Sequence, residues 1–312
     1  MTVWRVSDFC RFLYSNLNET TLECRVHSVF NKAVNFSFNG EIITLLSTGR
    51  MLQPNSFILN EVLNFEDLEL SANMVAGLNR NGLTVYDAGI RIDFAEARLT
   101  DLSIFINGPY IIPEDMEHRV KLLTLYLADN SKPNSICSLV TNREPNKYSK
   151  AIEPYIPELA YAFAVYNIEL AEKISAKIAG CGVGLTPSSD DFLTGFLSAY
   201  AVISFVKERD SEKILAISRK AGYAAAARTT EISAQFLRQS GNVMTSQAVL
   251  KLLKALFSES YYDSLLSMAC QIMSFGATSG ADILTGILYC VKHFLSAEQE
   301  PCRCVDFQVI CP

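Results

Sequence analysis

The chain has 312 residues, of which 49% are hydrophobic and 19% charged, and its formal net charge is −6. An acidic balance with no cluster of Lys or Arg argues against nucleic acid and anionic membrane as partners. The 9 cysteines are scattered and odd in number, which suits reduced thiols in a cytoplasm better than a disulfide framework.

The N-terminal MTVWRVSDFCRFLYSN has polar residues through its apolar part and no cleavage pattern, so it does not read as a signal peptide. A first helix is expected over Ser7–Leu17. Short β-branched and aromatic runs follow at Leu22–Phe30, Ala33–Phe38, Glu41–Leu46, Ser56–Leu59, Leu83–Tyr86 and Ile90–Phe94. Asn39-Gly40 between two of them is a strong hairpin signal. Strands at this spacing predict a small barrel or curled sheet.

The character changes near Asn107-Gly108-Pro109. Asn130–Lys150 is polar and proline-bearing and is expected to be an exposed loop around one short turn of helix. Helices are expected over Glu114–Ala128, Ile156–Ala179, Ser188–Val206, Ser211–Gln239, Thr245–Phe257, Tyr261–Phe275 and Ser279–Leu295. The apolar stretch Phe192–Val206 contains Thr194, Gly195, Ser198 and Ser204 and is shorter than the ~20 residues a bilayer requires. It reads as a buried helix of a soluble protein. The fold class is therefore α+β, with a β-rich unit over 1–110 and a larger helical unit over 111–312.

The helical unit contains an internal echo. Pro187–Leu197 aligns without a gap on Thr278–Leu288, with Ser188/Ser279, Asp191/Asp282, Leu193/Leu284, Thr194/Thr285, Gly195/Gly286 and Leu197/Leu288 identical. This predicts two related central helices whose glycines allow close backbone approach.

The first copy follows a glycine loop, GCGVGLTPSSDDFLTG from Gly180 to Gly195. Thr186 suits an N-cap and Pro187 the first helical position, so the peptide N–H groups of Ser188, Ser189 and Asp190 should face the loop. With Gly180, Gly182 and Gly184 keeping side chains away, these groups and the Ser188 and Ser189 hydroxyls would make an anion pocket at the positive end of a helix dipole. The plainer alternative is an ordinary capped helix start. Asp190 and Asp191 could favour the dipole, hold Mg²⁺, or accept from a substrate amide. The two point about 100° apart on a helix, and Asp191 is the one repeated, as Asp282.

The segment AAAARTTEIS supplies a candidate cation. Arg228 either pairs with Glu231 or offers its guanidinium to a bound carboxylate or phosphate, with Thr229 and Thr230 adding hydroxyls. Cys290, His293, Cys302 and Cys304 could meet at a zinc ion, although their spacing follows no standard pattern. Cys181, beside a helix start, is either a reactive thiolate or a small loop filler. HExxH, GxSxG and Walker A patterns are absent from the sequence.

The segments GVGLTPSSDDFLTG, RTTEIS and GATSGADILTGIL together resemble a bacterial family that includes a subunit of the oxamate carbamoyltransferase of anaerobic allantoin degradation. The family pattern is similar to G-x-G-x-G-L-T-P-S-G-D-D, and Ser189 stands here where glycine is usual. The resemblance covers the helical unit well and the β-rich unit weakly. It implies carbamoyl transfer between oxalurate and phosphate on one side and oxamate and carbamoyl phosphate on the other. By this resemblance the glycine loop would take the phosphate, Arg228 a carboxylate, and Asp191 and Asp282 the amide N–H₂ groups.

Gly182, Gly184, Thr186, Ser188, Ser189, Asp190, Thr229, Thr230, Thr278 and Ser279 would line that site. The resemblance also implies a small anionic substrate and companion subunits; a homo-oligomer is a further expectation. No cofactor is required, with Mg²⁺ the one that the carboxylates could hold. A Mg²⁺-dependent hydrolase or lyase using Asp190, Asp191 and Asp282, and a non-catalytic scaffold, are the alternatives.

Overall fold

A computed structural model gives the fold and describes residues 2–260 and 262–296. Among these, nine strands form one sheet: β1 (Thr2–Cys10), β2 (Leu22–Phe30), β3 (Ala33–Phe38), β4 (Glu41–Leu46), β5 (Ser56–Leu59), β6 (Val75–Asn79), β7 (Gly82–Val85), β8 (Ile90–Asp93) and β9 (Arg98–Thr100). Their order is β5-β4-β3-β2-β6-β7-β8-β1-β9, and an additional β1–β5 pairing closes the sheet into a barrel.

The closing strand is the one expected to be helical. Thr2–Cys10 is β structure, and only α1 (Arg11–Ser15) of the expected Ser7–Leu17 helix forms. The reason is pairing on both edges. β1 runs parallel to β8 through Thr2–Arg5, parallel to β9 through Asp8–Cys10, and antiparallel to β5 at Val6↔Leu59 and Phe9↔Phe57. Phe9, Phe57 and Phe94 meet with ring centroids 4.8–5.0 Å apart and fill the interior. The Asn39-Gly40 hairpin forms as expected, with both residues at positive φ and Phe38 paired to Glu41.

The helices follow as α2 (Met116–Asn130), α3 (Lys147–Ile152), α4 (Ile156–Ala164), α5 (Ile168–Ile178), α6 (Ser188–Val206), α7 (Ser211–Ala226), α8 (Glu231–Gly241), α9 (Gln247–Leu256), α10 (Leu265–Met273) and α11 (Ser279–Ser296). Two expected long helices are each broken in two. Tyr166 takes a positive φ and Asn167 caps α5 through Leu170 N–H, while Thr230 caps α8 through Ser233 N–H. The Asn130–Lys150 segment is not an exposed loop in its middle: Ser135, Ile136 and Cys137 are buried against α11. No helix among the described residues is long and apolar enough to cross a membrane.

The echoed helices α6 and α11 are the most closely packed pair in the structure. Contacts advance along both in the same sense: Thr186 with Ser279, Phe192 with Tyr289, Tyr200 with Phe294. The two therefore lie side by side and parallel, with their N-termini together. A Cβ on Gly195 would sit 2.0 Å from the Ile283 carbonyl oxygen, and one on Gly286 would sit 2.0 Å from that of Phe192. Phe192 and Ile283 are equivalent positions in the echo, so the contact is reciprocal about a local pseudo-twofold axis.

Barrel and helices are stitched through backbone. Gln235 on α8 exchanges two hydrogen bonds with the Ile42 backbone, and Gln247 on α9 does the same with Leu52. Gly195→Ala and Gly286→Ala should each destabilise the chain by about 3 kcal/mol or more, because an added methyl meets backbone that cannot move away. Urea denaturation followed by circular dichroism measures this; loss of less than about 1 kcal/mol would contradict the close approach.

Candidate functional site

The parallel packing brings four echoed residues together at the shared N-terminal end. Asp191 and Asp282 are buried, with relative exposures of 5% and 0%. Each carboxyl senses a serine of the opposite copy, Asp191 facing Ser279 and Asp282 facing Ser188. Thr186 Oγ1 and Ser279 Oγ lie 2.8 Å apart and close the gap between the helix starts.

The pair is symmetric in origin but not in environment. Oδ1 of Asp282 accepts from Ser135 Oγ and from Ile136 N–H, both at 2.8 Å, while Oδ2 is buried without a partner. Asp191 also has a buried, unpartnered Oδ2, but its side chain lines a cavity of about 260 Å³.

Burial pushes the Asp191 carboxyl well above its ordinary 3.8, and the neighbouring Asp282 charge pushes it further. Burial raises Asp282 to about 6, opposed first by the Ile136 N–H and then by the Ser135, Ser188 and Thr278 hydroxyls. Two carboxylates confined together resist double ionisation. The pair therefore disfavours carrying two charges, and both burial and its neighbour's charge favour the protonated form of Asp191.

Asp190 is engaged quite differently. Its Oδ1 accepts from Gly180 N–H at 2.7 Å and from Ser189 Oγ at 3.3 Å, and its Oδ2 from Ser233 Oγ at 2.8 Å and from Thr229 Oγ1. It ties the glycine loop to α8, leaving no free oxygen for a ligand. Among the described residues no group of three or more His, Cys, Asp or Glu side chains is arranged to hold a metal ion. Asp190, Asp191 and Asp282 therefore do not form a common Mg²⁺ ligand set.

The glycine loop also departs from the expected anion cradle. Ser189 N–H donates to the Cys181 carbonyl, and the N–H groups of Asp190 and Asp191 donate to the Pro187 carbonyl. Ser189 Oγ accepts from Cys181 N–H at 2.9 Å. Gly182 lies against the helix start, where a Cβ would sit 2.2 Å from Ser188 N, and Gly180 backs onto the Arg228 carbonyl. The Ser189 and Asp190 N–H groups, which were to face an anion, are spent on folding the loop down. Gly184 is exposed with open space around it, and Thr230 Oγ1 donates to the Leu185 carbonyl.

Arg228 is exposed and lines neither cavity at this end of the helices. Glu231, its expected alternative partner, instead lies 3.6 Å from His27. Cys181 is no thiolate: burial and then the Asp190 charge raise its pKa. Of the proposed zinc ligands, Cys302 and Cys304 lie outside the described residues. Cys290 is buried in α11, its thiol pushed well up by that burial.

The wall opposite Asp191 comes from the barrel, which the motifs did not signal. Arg50, Met51, Gln53 and Pro54 from the β4–β5 connection line the same cavity as Thr186, Asp191 and Gln239. A second cavity of about 270 Å³ shares Leu46, Gln53, Thr186, Phe236 and Gln239 with the first, making one cleft of two chambers. Ser135 and Ile136 were likewise missed; the apolar SIC within a polar stretch was the available signal.

Asp282→Asn removes the buried charge while keeping the acceptor for Ser135 and Ile136. The folded-state pKa is raised, so protonation stabilises the fold below the unfolded value of 3.8, and this is lost as pH rises through about 6. Asp282→Asn should be more stable than wild type at pH 8 by on the order of 3 kcal/mol, the gap falling to about half at pH 5. Thermal melts of both proteins across this range test it; a pH-independent difference would contradict the buried charge.

Comparison with known proteins identifies the family of both units. The family model described as oxamate carbamoyltransferase subunit AllH matches residues 178–291, the glycine loop through most of α11. The model of the AllH family N-terminal domain matches residues 5–99, the barrel. No curated protein and no solved structure matches the chain. Both halves of the cleft thus fall within one family's pattern, and the chain belongs to the family of the oxamate carbamoyltransferase subunit AllH.

Proposed function

We propose that the chain is a subunit of a carbamoyltransferase-type enzyme acting on a small ureido acid or amide, with the reaction centred on Asp191. The observation that carries this is a buried carboxyl with a raised pKa and an unpartnered oxygen, on a side chain that lines a cavity small enough for a short organic acid. A neutral carboxyl donates through one oxygen and accepts through the other. It complements an amide edge, which offers an N–H and a carbonyl side by side. Family membership supports carbamoyl transfer involving oxamate, and the resemblance in the motifs adds oxalurate with phosphate on one side and carbamoyl phosphate on the other.

In the phosphorolytic direction a phosphate oxygen attacks the carbamoyl carbon and the carbon–nitrogen bond breaks. The leaving nitrogen takes the Asp191 proton and becomes the N–H₂ of oxamate. Asp191 regains a proton from the attacking phosphate, so the cycle closes. Asp282 holds the negative charge of the pair and keeps Asp191 basic enough to reload. Thr186 and Ser279 position the Asp191 carboxyl, and Asp190 secures the loop that covers the helix start.

The phosphate's charge requires cations beyond those lining the cleft, which supports companion subunits as contributors to the site. Arg228, exposed beside the glycine loop, fits as part of such a shared surface.

In the assembled complex, Asp191→Asn should lower kcat for carbamoyl phosphate formation from oxalurate by about 100-fold or more, with KM changed only a few-fold. Retention of more than half the activity would overturn the assignment and favour a scaffold role.

A further inference from the structure

Among the described residues lining the first chamber, Arg50 is the only basic side chain and Asp191 the only acidic one. The second chamber is lined by no charged residue at all. Arg50 is exposed and has no ion-pair or hydrogen-bond partner among the described residues, although the chain carries 33 acidic side chains against 27 Lys and Arg. The backbone on either side of it is nonetheless anchored. Gly49 turns the chain at φ +79, Thr48 N–H donates to the Glu61 carbonyl before it, and both backbone groups of Leu52 are bonded to Gln247 after it.

A second feature lies beside the same space. Gln239 on α8 is 6% exposed and lies on the wall shared by the two chambers, and its Oε1 is buried without a partner. An acceptor left open beside a cavity is complementary to a ligand N–H.

We propose that Arg50 on the barrel binds the carboxylate of the substrate while Gln239 and Asp191 receive its amide or ureido N–H groups, so that an amido acid spans the cleft between barrel and helices. This rests on the function proposed above and assigns the end of the molecule that selects acids over neutral amides. A guanidinium meets a carboxylate through two parallel hydrogen bonds, which a lysine ammonium cannot reproduce. The barrel is then part of the substrate site, and its docking through Gln235 and Gln247 sets the distance between acid and nitrogen ends.

Calorimetric titration of the assembled complex with oxamate and with oxamide, its neutral analogue, tests this. Wild type should bind oxamate more tightly. Arg50→Ala should weaken oxamate by about 10- to 100-fold while leaving oxamide within about twofold, and Arg50→Lys should fall between. Gln239→Leu should weaken both ligands together, with circular dichroism and a melting curve confirming that the variant folds. An unchanged preference for oxamate in Arg50→Ala would overturn the assignment of Arg50 while leaving the Asp191 site intact. Failure of wild type to bind either ligand would overturn both.

Discussion

Two carboxyl groups confined at one end of two parallel helices are the constraint on which the rest of the structure turns. Gly195 and Gly286 remove the side chains that would hold α6 and α11 apart. Parallel packing then places both N-termini, and both positive dipole ends, at the same place. Burying charge there is costly, and the surroundings answer that cost in specific ways. The 131–146 connection is drawn inward so that Ser135 and the Ile136 N–H reach Asp282. The barrel wall of Arg50 to Pro54 closes the remaining side and turns an exposed carboxyl into one that lines a cleft.

Adjacent aspartates on the same helix have opposite duties. Asp190 is saturated by four donors and fastens the glycine loop to α8. Asp191, about 100° further round the helix, keeps an oxygen without a partner, and burial and the Asp282 charge push its pKa up. The echo in the sequence marks this division, since only Asp191 has a counterpart in the second copy. Within the pair, symmetry of sequence gives way to asymmetry of solvation. Asp282 is sealed and anchored, while Asp191 reaches the cavity. Proteins tolerate such destabilised groups where function requires them.

The pairing of α6 with α11 was legible because Asp-x-Leu-Thr-Gly recurs at the start of two apolar runs, and most strands were legible from alternation and turn residues. β1 was not, because Ser7–Leu17 satisfies a helical pattern locally, and only barrel closure by β5, β8 and β9 decides for strand. The glycine loop was read as an anion cradle from composition. Whether its N–H groups face outward depends on where the Cys181 and Pro187 carbonyls fall, which no local pattern reports. Arg50 and Gln239 were silent for a related reason. A single arginine after a turn becomes informative only once the barrel has docked against α8 and α9 and placed it opposite Asp191.

The protonation of the carboxyl pair tests the account most directly. Carbon-detected NMR titration of the aspartate carboxyl groups, assigned with Asp191→Asn and Asp282→Asn, follows each site separately. The account predicts that Asp282 titrates near 6 and that Asp191 remains protonated well above 3.8. If both instead ionise near the ordinary aspartate value, the pair carries two charges at neutral pH and Asp191 has no proton to give.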